Sequence, residues 1–136
     1  MKVTSYAVAR PAFYDRAAAA STQSINVVVA PHAQTTRFTY TVPANRKAYV
    51  ENIRVFMNRQ TSAATAATMV AAIAAGGVEL KYLATTNNTP GTQFNDMSTA
   101  QVTLYPGDVM TGYTIDTSVG GTVNFVIQSK STEFDA

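Results

Sequence analysis

The sequence predicts an all-β protein, and three observations carry this prediction. Charged residues make up 13% of the 136 residues, well below the roughly 25% of an ordinary soluble domain. The chain contains twenty threonines, which are β-branched and suit a pleated, half-exposed surface. Short runs that alternate apolar and polar residues are separated by turns rich in glycine and proline, a pattern typical of half-buried strands.

Three alternating runs in the N-terminal half predict strands over 22–30, 35–42 and 47–58. The first two runs stop before Pro31 and Pro43, which cannot donate a ladder hydrogen bond. In the third run, one predicted face carries Ile53, Val55 and Met57, and the other carries Val50 and Phe56.

The segment 61–75 is compatible with two structures. As a helix it has Thr61 or Ser62 as N-cap and Gly76 as its C-terminal stop. As a strand it forms a hairpin through Gly76-Gly77 with residues 78–85. Cross-strand pairing favours the hairpin, because Ala75 opposite Val78 and Ile73 opposite Leu80 share one apolar face.

The C-terminal half predicts a long polar loop over 85–98 and strands over 98–105, 109–116 and 122–130. Together with the earlier runs this makes eight strands, the number found in a jelly roll. We therefore expect an eight-stranded jelly-roll-like β-sandwich over 22–136, preceded by an extended N-terminal arm over 1–21.

No catalytic constellation is visible, and we expect neither enzymatic activity nor a cofactor or metal. The chain has no cysteine and one histidine, His32, which we expect in a loop or on the surface. Zinc and iron sites generally need several such ligands. The carboxylates of Asp96, Asp108 and Asp116 follow or precede turn residues, so we interpret each as capping its own turn rather than as a catalyst.

The charges are unevenly divided along the chain. Residues 1–60 hold eight basic and two acidic residues, whereas residues 61–136 hold two basic and six acidic ones. The basic residues interleaved with aromatic ones could form a nucleic-acid groove, but they are too few for us to expect nucleic-acid binding. They are Arg37, Arg46, Lys47, Arg54 and Arg59. We expect no signal peptide, because Arg10, Pro11, Asp15 and Arg16 interrupt any apolar run near the N-terminus. We expect no membrane span, because the apolar run 63–75 is too short to cross a bilayer.

Two stretches, "VPANRKAYV" and "LYPGDVMTGYTIDTSVGGTVNFVIQ", resemble the jelly-roll head decoration, or cement, proteins of tailed bacteriophages. The resemblance covers about residues 22–130. It implies a homotrimer on the capsid surface of a virion, with the major capsid protein as partner and an arm that clamps neighbouring shell subunits. Aromatic and arginine side chains dominate interface hot spots. The arm residues expected to dock are Tyr6, Arg10, Phe13, Tyr14 and Arg16.

An alternative is a carbohydrate- or receptor-binding jelly-roll module of a phage tail or cell surface. Its binding residues would lie on the predicted polar loop, where amide side chains offer hydrogen bonds. They are Asn87, Asn88, Gln93 and Asn95.

Overall fold

The computed structural model describes residues 17–62, 68–76, 78–86, 89–98 and 101–136. Within these residues lie nine strands in two antiparallel sheets, so the predicted all-β sandwich is confirmed with nine strands in place of eight. The strands are β1 (Ala17–Val29), β2 (His32–Thr41), β3 (Arg46–Thr61), β4 (Met69–Ala75), β5 (Val78–Thr85), β6 (Gln93–Ser98), β7 (Val102–Leu104), β8 (Val109–Asp116) and β9 (Thr122–Asp135).

The strand pairing is nested from the ends of the chain towards its middle. β1 pairs with β9, β2 with β8, β3 with β6 and β7, and β4 with β5. One sheet therefore has the order β1-β9-β3-β6, with β7 also on β3, and the other has the order β2-β8-β4-β5. This rolled antiparallel ribbon is the jelly-roll arrangement that the strand number predicts.

Two element boundaries differ from those expected. β1 begins at Ala17, inside the segment 1–21 assigned to the arm, because Ala17 already pairs with Phe134 of β9. β6 occupies 93–98, so the prediction of a polar loop is wrong there. Phe94 lies opposite Met57 and packs against the core, which gives β3 a partner for its backbone groups along this edge.

The core lies between the sheets and is centred on β3 and β9. Val55 lies opposite Ile127 and Met57 opposite Phe125, and all four side chains are fully buried. Burying one such side chain contributes about 1.5–3 kcal/mol to folding. The predicted inward face of β3 is confirmed for these positions.

A β-bulge at Asn52 turns the side chains of the residues before it to the opposite face of β3. Asn52 has a φ of 55°, a left-handed conformation that Asn tolerates better than most residues. The bulge inserts an extra residue into β3 between Glu51 and Arg54, so Val50 and Ile53 both point into the core. The prediction that Val50 faces away from Ile53 is wrong for this reason.

The segment 69–75 is a strand, so the helix alternative is wrong there and the hairpin is confirmed. Its first predicted pair, Ala75 with Val78, is correct, but the register shifts by one residue between Ile73 and Ala74, so that Ile73 lies opposite Lys81 rather than Leu80. The extra residue lets both Leu80 and Leu83 reach the core, which strict alternation would forbid.

Candidate interaction surface

Several turns surround the start of β1 at one end of the sandwich. Ala17 lies opposite Phe134, and Arg46 lies opposite Asp135, so the first residues of β1 and β3 flank the last residues of β9. We call this end, formed by residues 42–45, 76, 105–108 and 135–136, the arm end. Residues 1–16 join the sandwich here.

Backbone hydrogen bonds tie the turns of the arm end to one another. The N–H of Val42 donates to the carbonyl of Asp108 over 2.9 Å, and the N–H of Gly107 donates to the carbonyl of Val42 over 3.0 Å. The N–H of Gly76 donates to the carbonyl of Val109 over 3.2 Å. These bonds connect the turns of the two sheets to one another. A platform that is already rigid loses less conformational entropy when it binds a partner.

Asp108 stabilises its own turn. The N–H of Tyr105 donates to Asp108 Oδ2 over 2.8 Å, and the N–H of Asp108 donates to the carbonyl of Tyr105 over 2.9 Å. Gly107 supplies the positive φ, 86°, that the reversal requires. The turn interpretation of Asp108 is confirmed.

Three large apolar side chains are exposed on or beside the arm end. Val78 is 64% exposed, Tyr105 57% and Val109 40%. Arg46 Nη1 and Asp135 Oδ1 form an ion pair of 2.6 Å at the same end. These exposed apolar side chains and the charged pair lie at the same end of the sandwich.

The other end of the sandwich has a buried charged cluster that sequence reasoning missed. We call this end of the sandwich the opposite end; it is formed by residues 30–31, 62, 68, 86, 89–92 and 117–121. Next to it, Arg59 Nη1 lies 3.6 Å from Asp116 Oδ2, and both side chains are almost completely buried. Arg59 Nη2 donates to Ser118 Oγ over 2.7 Å, and the Ser118 N–H donates to Asp116 Oδ1 over 3.0 Å.

Strand periodicity carries a signal for this cluster. Arg59 continues the inward-facing series of Val55 and Met57 on β3, and Asp116 continues that of Met110 and Thr114 on β8. Opposite charges at inward positions of two strands predict a buried pair. The turn interpretation of Asp116 is confirmed by its bond from Ser118, and its other oxygen, Oδ2, faces Arg59 of the other sheet.

His32 is half-buried at the start of β2, the strand end at which the sequence places it. Nδ1 donates to the carbonyl of Ala33 over 2.6 Å, and Nε2 accepts from Arg37 Nη2 over 3.2 Å. The ring packs edge-on against Phe125 at a centroid distance of 6.0 Å. Both ring nitrogens therefore have structural partners. No three His, Cys, Asp or Glu side chains lie together as a metal site in the described part of the chain.

The structure brings together two of the predicted loop residues. Gln93 and Asn95 lie on the exposed side of β6, and Asn95 Oδ1 accepts from Arg54 Nε over 3.0 Å. Arg54 also lies 5.4 Å from the Phe56 ring centroid, so it sits on the outer face of the sheet. The other predicted positions lie outside the described residues. They are Tyr6, Arg10, Phe13, Tyr14, Arg16, Asn87 and Asn88.

Two tyrosine hydroxyls have a raised pKa. Tyr40 donates to Glu133 Oε2 over 2.8 Å between the sheets, and burial, followed by this bond and the glutamate's charge, raises the pKa of Tyr40 well above its ordinary value. Tyr113 donates to Glu79 Oε1 over 3.1 Å on the outer face, and partial burial and Glu79 raise its pKa as well.

No protein-family model and no curated protein matches this chain. No helix in the described ranges could cross a membrane.

Three solved structures are similar in fold, each with a TM-score below 0.5, which assigns no shared function. The disulfide-linked pili of Bacillus endospore appendages are 12% identical at a TM-score of 0.44, covering 92% of this chain and 96% of that one. Infectious bursal disease virus, Gx strain, is 14% identical at 0.43, covering 88% and 33%. Dimeric latent PorU from Porphyromonas gingivalis is 12% identical at 0.39, covering 84% and 10%.

Proposed function

We propose that this chain is a non-enzymatic structural protein of a virion, a decoration or cement protein that binds the major capsid protein on the capsid surface and stabilises the head. The observation that carries the proposal is the arm end. The exposed side chains of Val78, Tyr105 and Val109 lie at the end of the sandwich where residues 1–16 leave it.

The chemistry of the arm end fits a protein partner. Aromatic and aliphatic side chains on a rigid platform lose little entropy on docking, and the arm adds aromatic and arginine residues that are common in hot spots. The arm and the platform can then bind one continuous surface of a shell. The proposed assembly is a homotrimer, in which three arm ends would face the lattice together and gain affinity by multivalency.

A binding assay with empty capsids tests the proposal. A chain lacking residues 2–16 retains all of β1, and we expect it to stay folded and to lose capsid binding. A V78S/V109S variant should bind at least about tenfold more weakly, the loss of roughly 1.4 kcal/mol. The matched control is V119S, because Val119 is equally apolar and exposed but lies at the opposite end.

Three results would contradict the proposal: a full-length chain that does not bind capsids, a truncated chain that binds as well as the full one, or equal losses in V78S/V109S and V119S. Differential scanning calorimetry of each variant separates loss of binding from loss of folding.

A second candidate, carbohydrate or receptor binding, is favoured by a polar depression on the outer face of the five-stranded sheet. The depression has a volume of about 250 Å³ and is lined by Thr22, Asn52, Gln128, Ser129 and Lys130. Hydroxyl, amide and ammonium groups of this kind hydrogen-bond sugar hydroxyls. A glycan array tests this function, and N52A should abolish any signal that arises from the depression.

A further inference from the structure

The five-stranded sheet ends in a long strand with one free side. β1 pairs with β9 in an uninterrupted register from Ala19 to Val29, and its other side pairs with no residue that the structure describes. A strand of 13 residues presents roughly 40 Å of backbone N–H and C=O groups at this side. Such an edge is a template for adding another strand.

The other edge strands carry features that prevent strand addition. β2 has two register shifts and contains Arg37, and β5 has one register shift and contains Glu79 and Lys81. β6 and β7 are short, with 6 and 3 residues. Bulges, charges and short length all discourage edge-to-edge pairing.

β1 has none of these features over most of its length. The segment 17–29 contains no charged residue and no proline, and its one register shift lies at Ala17 and Ala19, where the strand begins. Val28 on the outer face is 56% exposed. This edge is therefore the best suited of the described edges to pair with another strand.

We propose that β1 binds β1 of a second copy of this chain, antiparallel around a twofold axis, so that the two five-stranded sheets become one continuous sheet. A strand without charge is compatible with itself, because no like charges meet when two copies pair. The twofold contact is closed, so it ends at two copies and does not propagate into a filament. The contact does not depend on the capsid partner.

In the antiparallel pair the centre of the regular segment, Ser24, faces Ser24 of the second copy. Its exposed neighbour Asn26 lies within side-chain reach of the same point. Lysine at both positions would place four positive charges across the contact, which like-charge repulsion opposes. Both side chains point to solvent on the outer face, so the substitutions leave the core unchanged.

Light scattering coupled to size exclusion tests the proposal with the full chain. We expect the wild type to form a dimer, or a dimer of trimers if the threefold assembly also forms. The S24K/N26K variant should have half that mass, and so should S24E/N26E. Mixing the two variants should restore the full mass, because lysine then faces glutamate. The control is T39K/T41K, which places lysines at exposed positions of β2 with the same spacing and should leave the mass unchanged.

A wild-type mass of one or three chains at every concentration would overturn the proposal. So would an unchanged mass in S24K/N26K, an equal fall in T39K/T41K, or a mixture that stays dissociated. Far-ultraviolet circular dichroism of each variant confirms that a lower mass reflects separation of folded copies.

Discussion

The two ends of the sandwich each contain an arginine–aspartate pair, and the pairs differ in almost every other respect. At the arm end, Arg46 and Asp135 lie 2.6 Å apart with the aspartate 84% exposed. Near the opposite end, Arg59 and Asp116 lie 3.6 Å apart with side chains 1% and 0% exposed. The shorter contact is the weaker contributor to folding, because water screens it.

The comparison shows that the ends serve different purposes. Arg59 belongs to β3 and Asp116 to β8, so the buried pair spans the two sheets. The arm end exposes apolar groups instead, and its ion pair can exchange partners at no large cost. We infer that the opposite end holds the fold in one arrangement while the arm end remains available for binding.

The largest expected effect is that of D116A. Removing the carboxylate leaves the Arg59 guanidinium buried without its counter-charge, which costs about 3–5 kcal/mol of folding free energy. Urea denaturation of the two proteins measures the difference. The matched control is D135N, which removes the exposed carboxylate and should cost less than about 1 kcal/mol. Similar losses in the two variants would show that burial does not distinguish the pairs.

A smaller effect is expected for Y40F. Tyr40 donates to Glu133 between the sheets, towards the arm end, and a hydrogen bond to a charged group contributes about 1.5–3 kcal/mol. The loss should fall between those of D116A and D135N in the same urea experiment. A Y113F variant is the control, because its hydroxyl bonds to Glu79 at the exposed outer face. A loss in Y113F as large as that in Y40F would contradict the role of burial.

The raised pKa of Tyr40 predicts that the free energy of unfolding depends on pH in the alkaline range. Since the folded-state pKa of Tyr40 is raised above its ordinary value of 10.0, the unfolded chain loses this proton first as the pH rises. The stability that the hydroxyl contributes is therefore complete below pH 10 and declines above it. The difference in unfolding free energy between wild type and Y40F should shrink from pH 10 upwards. A constant difference over that range would contradict the raised pKa.

The smallest effect on stability is expected at the arm end. Val78 and Val109 are exposed, so V78S/V109S should change the free energy of unfolding by less than about 0.5 kcal/mol per site, despite its expected loss of capsid binding. Thermal unfolding of this variant beside D116A measures the contrast between the ends. A loss as large as that of D116A would show that these valines contribute to the core rather than to a surface.

Much of the fold follows from local patterns in the chain. Alternation places Ile53, Val55 and Met57 in the core, and Pro106 with Gly107 marks the turn that Asp108 stabilises. These predictions succeed because side-chain direction in a regular strand depends only on parity, and because turn residues act on their own backbone.

The predictions fail where a long-range contact changes the local pattern. Bulges near Asn52 and Leu80 each shift the parity by one residue, and they allow Val50 and Leu83 to fill the core. β6 forms because β3 offers Phe94 a place in the core, although its sequence reads as a polar loop. Each of these features depends on a partner strand distant in the chain.

The candidate interaction surface is likewise predicted in part by residue types and in part only by the tertiary structure. Residue types alone identify the strand over 22–30, the tight turns and a chain without cysteine. The placement of Val78, Tyr105 and Val109 at one end of the sandwich, and the meeting of Arg59 with Asp116, require the strands to be rolled into two sheets. Parity and turn chemistry act over a few residues, whereas the packing of two sheets joins residues that the chain separates by dozens of positions.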